Sequence, residues 1–193
     1  MLEWSIGGTM KKSKDLSVLD YSLEKGISIQ DRVIRLTGEI GEDFDFDFVD
    51  FALSELERDS KANITIRMCS GGGDVYEALA IAGRIKESRA HITTVGYGQI
   101  MSAATLILAC GNFRKISEFC TFMTHEASYD IGGRHSDVRE EVEQMEREEN
   151  LWCKYMEKFS NKTADWWRKV ATKRNYYMTA EQVLECGVAD KVI

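Results

Sequence analysis

The stretch "VGYGQIMSAATLILACG", residues 95–111, decides how this chain reads. Its first half carries the glycines of a turn, and its second half is apolar without a break. Such a run, closed by Gly111, reads as a buried helix. Ser102 stands at its mouth. A serine there suits a helix N-cap, whose side-chain oxygen accepts from an unpaired amide. It suits equally a nucleophile on a rigid turn, with the amide of Ala103 aimed at the oxygen where negative charge develops. The residues alone leave both readings open. "GQIMSAA" departs from the G-x-S-x-G elbow of the α/β-hydrolases, which argues against that fold.

Upstream, "DRVIRLTGEI" (31–40), "ANITIRMCS" (62–70) and "HITTVGYG" (91–98) read as strands, and "VYEALAIAGRIKES" (75–88) has helical spacing. "DFDFDFVDFALSELERDS" (43–60) starts with alternation, yet Phe46, Val49, Leu53 and Leu56 share one helical face. Its length and ending favour a helix. Phe44, Phe48 and Phe51 form a second stripe, expected in a subunit or partner contact. Downstream, "FCTFMTH" (119–125) is an apolar strand ending at His125. Residues 136–160 form a long helix whose stripe of Val138, Val142, Met145, Trp152 and Met156 is broken by one acid, Glu149. A helix begins at "TADWW", and Thr179 with Gln182 makes a capping box. Strands alternating with helices predict an α/β fold with parallel strands and right-handed crossovers. Residues 1–27 are expected to form an arm and 28–193 a single domain.

The chain has 193 residues, 44% hydrophobic and 30% charged, which is ordinary globular composition. A net charge of −7 argues against a nucleic-acid or anionic-membrane surface. Five cysteines without a C-x-x-C pair suit free thiols rather than a zinc site. No signal core and no apolar run of spanning length is visible, so a soluble cytoplasmic protein without metal or cofactor is expected. The P-loop pattern is absent, so the chain is not expected to hydrolyse ATP itself.

In α/β folds active groups gather at the carboxyl ends of strands. Three spots qualify. "SGGGD" (70–74) leaves backbone amides bare, which can hold an oxyanion, cradle a phosphate, or simply make a tight turn. Ser102 is the second spot. His125 is the third, and a general base must lie within hydrogen-bond reach of the nucleophile. His91 and His135 have no comparable setting.

Taken together, the three spots resemble the ClpP family, the proteolytic subunit of the Clp protease, from about residue 30 onward. "GQIMSAAT" (98–105) is similar to the family's G-Q-x-x-S-M-G-A, with Ala103 and Ala104 for Met-Gly. "SGGG" (70–73) resembles its S-P-G-G, with Gly71 for proline. "MTHE" (123–126) resembles M-I-H-Q, the helix 136–160 its handle helix, and "YYMTAEQVLECGVADKVI" its C-terminal segment. The resemblance implies an α/β fold of the ClpP/crotonase kind, with repeated β-β-α units and a long handle helix. It implies a serine peptidase with Ser102 as nucleophile and His125 as base. Gly72 and Ala103 would form the oxyanion hole, with Gly73 shaping the turn. The family's third residue is an Asp, and the matching position here is Asn175, with Asp165 and Glu126 as other candidates. The resemblance further implies polypeptide substrates, stacked homo-oligomeric rings and an AAA+ unfoldase ATPase partner. Three alternatives accompany it: a crotonase-type acyl-CoA enzyme, a non-catalytic ring subunit, and a viral capsid-maturation protease.

Overall fold

The computed structural model describes residues 26–128, 131–172 and 174–193. The arm expected at 1–27 lies almost wholly outside them. Of it, Ile27 begins β1 (Ile27–Ser28), which pairs antiparallel with β2 (Val33–Ile40). From there the chain alternates. Helix α1 (Phe46–Glu57) leads to β3 (Ile64–Gly73), α2 (Val75–Glu87) to β4 (Ile92–Met101), and α3 (Ala104–Ala109) to β5 (Phe113–Ile116) and β6 (Thr121–Thr124). The long helix α4 (His135–Lys158) and α5 (Ala164–Ala171) follow. Then come β7 (Tyr176–Met178), α6 (Ala180–Glu185) and β8 (Lys191–Val192).

The sheet runs β1-β2-β3-β4-β5-β8, with all neighbours parallel except at β1. Strand β4 serves two partners. Thr93–Gly96 pair with β5, while Gln99–Met101 pair with β6, which in turn carries β7 antiparallel. The "GYG" of 96–98 marks the change of partner. This fork sends the end of β4 and the end of β6 to the same place.

Burial follows the sequence pattern. Ile34, Leu36, Ile64, Ile66 and Ile92 are fully buried along the central strands, and all six residues of α3 are buried. Three caps proceed as local chemistry dictates: Asp45 accepts from the Phe48 amide, Asp74 from the Glu77 amide, and Thr163 from the Trp166 amide. The capping box of Thr179 and Gln182 is formed.

Two expectations are corrected. Phe44 and Phe48 are core residues, 4% and 8% exposed, and Phe51 packs against the same core. Phe44 precedes α1 and bridges to Ile40, so the three phenylalanines do not form a free helical stripe. Gly111 lies beyond the Cys110 cap without a left-handed backbone. A side chain there would meet Thr94 Oγ1 at 2.4 Å, so the residue is small because the strand is close.

Beyond the sheet, α4 and α5 are locked by indoles. Trp167 is fully buried, donates from Nε1 to Ser160 Oγ at 2.9 Å, and meets Trp152 and Trp166 edge-on at 5.7 and 4.9 Å. Such edge contacts add roughly 0.5–1.5 kcal/mol each beyond burial. They fix Trp152, on α4, against the site described next.

Candidate active site

Met101 and Met123 are partners in the parallel ladder of β4 and β6. The chain leaves β4 at Ser102, whose amide donates to the Met123 carbonyl at 2.8 Å. His125 leaves β6 two residues after Met123. Both side chains therefore emerge at one strand end, and Ser102 Oγ lies 2.8 Å from His125 Nε2. With the ring proton on Nδ1, the serine hydroxyl donates to Nε2, which is the arrangement a general base needs.

The cap reading of Ser102 does not hold. Helix α3 begins at Ala104 with Ala103 as its cap, and no side chain caps it. Ser102 instead sits in left-handed backbone at φ +52°, and its carbonyl accepts from the Thr105 hydroxyl at 2.6 Å. For a residue with a Cβ this conformation costs about 1–2 kcal/mol. The surroundings impose it: the ladder bond to Met123 holds one side and the buried helix holds the other.

The glycines expected to break the strand are instead its end: Gly72 and Gly73 close β3 in register with Glu39 and Ile40, and the run Gly71–Gly73 packs against this corner. Gly72 has φ +105°, and a Cβ on it would lie 2.7 Å from Ser102 Cβ and 3.3 Å from the Ala103 nitrogen. Gly73 has φ +134°, and a Cβ there would strike the Ile40 carbonyl at 2.3 Å. Only glycine allows this approach. The Gly72 amide donates to Ser70 Oγ at 3.1 Å, whereas the Ala103 amide has no acceptor among the described residues.

Asn175 is exposed and makes no hydrogen bond to His125 among the described residues. Its backbone position is close nonetheless. Thr124 pairs with Tyr176 at the end of the antiparallel β6–β7 ladder, and His125 and Asn175 are the next residues beyond that pair. Asp165 lies in the first turn of α5 paired with Arg168, and Glu126 lines a cavity beside the pair.

That cavity, of about 60 Å³, is walled by Ser102 and His125 on one side and by Leu79, Leu106, Glu149 and Trp152 on others. The long-helix stripe thus supplies site residues that the sequence reading did not assign. Its one interrupting acid, Glu149, was the available signal. No cluster of His, Cys, Asp and Glu able to hold a metal ion occurs among the described residues, and no helix there is long and apolar enough to cross a membrane.

A family model described as Clp protease matches residues 23–193. Among curated proteins, the chain is 28% identical over 169 residues to the ATP-dependent Clp protease proteolytic subunit of Carsonella ruddii, covering 86% of this chain and 85% of that protein. It is 29% identical over 170 residues to the protein of that name from Borrelia garinii subsp. bavariensis, with 86% of each chain covered. Against ATP-dependent Clp protease proteolytic subunit 1 of Corynebacterium glutamicum it is 28% identical over 166 residues, covering 84% of this chain and 79% of that one.

Proposed function

The chain belongs to the Clp protease family, and on that premise we propose that it is a serine endopeptidase acting on unfolded polypeptides. The observation that carries this reading is the 2.8 Å contact between Ser102 Oγ and His125 Nε2, made by a serine held in left-handed backbone. Ser102 Oγ attacks the peptide carbonyl carbon, and its proton passes to His125 Nε2. Negative charge then develops on the carbonyl oxygen. The Ala103 amide receives it, and the Gly72 amide joins by sharing or exchanging its bond to Ser70 Oγ. Gly73 holds the turn against β2. His125 returns its proton to the leaving amine, and a water activated by the same imidazole then hydrolyses the acyl-enzyme.

Asn175, from across the β6–β7 ladder, orients His125 by accepting from Nδ1. It supplies a dipole where an aspartate would supply a charge. Substrate lies extended between the strand end at Gly73 and the loop 129–134, held by main-chain bonds as an added strand. Of that loop, residues 129 and 130 lie outside the described residues. We further propose that residues 28–193 act as one domain and that copies assemble into stacked rings through α4. An AAA+ unfoldase ATPase feeds these rings in the cytoplasm, because a closed chamber admits only unfolded chains.

The test is hydrolysis of short fluorogenic peptides and of unfolded casein by the purified protein. Cleavage by the wild type and none by Ser102→Ala is expected. Cleavage that persists in Ser102→Ala overturns the assignment.

A further inference from the structure

The cavity beside Ser102 has a charge balance that the catalytic pair does not use. Its apolar walls include Val75, Leu79 and Leu106, yet three carboxylates also line it: Glu126, Glu148 and Glu149. Arg168 is the one cation in the lining among the described residues. Its guanidinium donates elsewhere, to Asp165 Oδ1 at 2.6 Å and Asn150 Oδ1 at 2.7 Å. Glu148 is 6% exposed and accepts from the Tyr76 hydroxyl and from Gln144 Nε2 at 3.0 Å, so its place in the wall is fixed.

Glu149 is the half-buried member. Burial raises its carboxyl above the ordinary glutamate range, with further upward push from Glu126 and Glu146, opposed by the Ala127 amide and by the charge of Arg168, which do not cancel the rise. A carboxylate in that position gains from any cation brought to it, because partial desolvation has weakened its hydration without supplying a full counter-charge. A second polar group waits in the same wall. The Thr124 hydroxyl is buried, with Thr124 1% exposed, and it has no hydrogen-bond partner among the described residues. Orphaned hydroxyls in a cavity wall are rare, and an occupant that brings a donor would satisfy it.

We propose that this cavity receives the side chain of the residue whose carbonyl Ser102 attacks, and that Glu149 makes it select lysine over apolar and acidic side chains. The inference rests on the serine-peptidase reading. A lysine stem lies along Leu79, Leu106 and Trp152, and its ammonium has three donors to divide between the Glu149 carboxylate and Thr124 Oγ1. Leucine fills the apolar part but brings no donor to either polar group. Glutamate adds a fourth carboxylate to the three present, so the cavity rejects it by charge. Discrimination of this kind is stronger than an apolar pocket achieves by shape, because the losing side chain leaves buried polar groups unpaired.

The experiment compares kcat/KM for peptides identical except for lysine, leucine or glutamate at the acyl side of the scissile bond, with unfolded casein as a general substrate. For the wild type, lysine is expected to exceed leucine by about tenfold or more, the scale of one hydrogen bond to a charged group, and the glutamate peptide is not cut. Glu149→Gln should bring the lysine-to-leucine ratio toward one. Glu149→Lys should bring glutamate above lysine. A wild type that prefers leucine overturns the inference without recourse to any variant. So does a lysine preference that Glu149→Gln leaves unchanged. If neither casein nor any peptide is cut, the peptidase reading itself fails and the inference falls with it.

Discussion

Ser102 Oγ and His125 Nε2 are 2.8 Å apart although 23 residues separate them, because the Met101–Met123 step of one parallel ladder ends both strands together. The left-handed backbone of Ser102 is part of the same device. At φ +52° any side chain beyond glycine is strained.

Replacing Ser102 therefore has two opposite consequences. Ser102→Ala should remove activity while keeping the strain, and it deletes no helix cap, since α3 is not capped by this serine. Ser102→Gly should also be inactive but should recover about 1–2 kcal/mol of backbone strain. For a chain of this size that is a rise in Tm of a few degrees over Ser102→Ala. A glycine variant that melts below the alanine variant would contradict the strained turn.

Asn175 directly precedes Tyr176, whose ladder partner Thr124 directly precedes His125. If it orients the imidazole, Asn175→Asp should raise peptide hydrolysis by about tenfold, on the order of 1.4 kcal/mol recovered in the transition state. Asn175→Ala should lower it, since the dipole that fixes the tautomer is gone. Equal rates for all three proteins would remove Asn175 from the mechanism and make Asp165 and Glu126 the next positions to replace.

The fold was legible in the sequence where period and punctuation agreed. The runs read to Ser70, Gly98 and His125 are strands, although β3 and β4 continue to Gly73 and Met101 and β6 stops at Thr124, and the three spots at their ends do meet. What was not legible depends on tertiary partners. Strands β5, β7 and β8 are four, three and two residues long, too short to show a period, and they exist because β4, β6 and β5 offer free edges. Phe48 reads as a contact stripe on a helical wheel and is core, because it joins Phe44, Val49 and Ile40 in one hydrophobic cluster. The residues around Ser102 leave a cap and a nucleophile equally open, because local sequence cannot reveal a φ imposed by a neighbouring strand. Glu149 was visible as an acid in an apolar stripe, but the cavity that explains it is formed by residues from five elements.

Glu57 supplies a prediction on stability. It is 5% exposed and bonded to Arg84 Nη2 at 3.0 Å, to the Arg89 amide at 2.9 Å, and to the Ser88 hydroxyl. Burial alone would raise its carboxyl, but the Ser88 and Arg84 bonds outweigh it and hold it below the ordinary value of 4.5. Stability from this cluster is accordingly complete above that ordinary value and is lost as pH falls through the depressed native one. Arg84→Ala should cost about 3 kcal/mol near neutral pH, because it takes the counter-charge from a buried carboxylate that keeps only its Ser88 and Arg89 bonds. The difference between wild type and variant in denaturant unfolding should narrow as the pH is taken into the acid range. A difference independent of pH would mean that Arg84 acts through packing alone.

The central claim is that His125 makes Ser102 a nucleophile. Its most direct measurement is labelling by a fluorophosphonate, with the modified residue located by peptide mass spectrometry in the wild type and in His125→Ala. Rapid, stoichiometric modification of Ser102 in the wild type and loss of that reactivity in His125→Ala is the predicted result. Absence of label on Ser102 in the folded wild type, or equal labelling of Ser102 in both proteins, would contradict it.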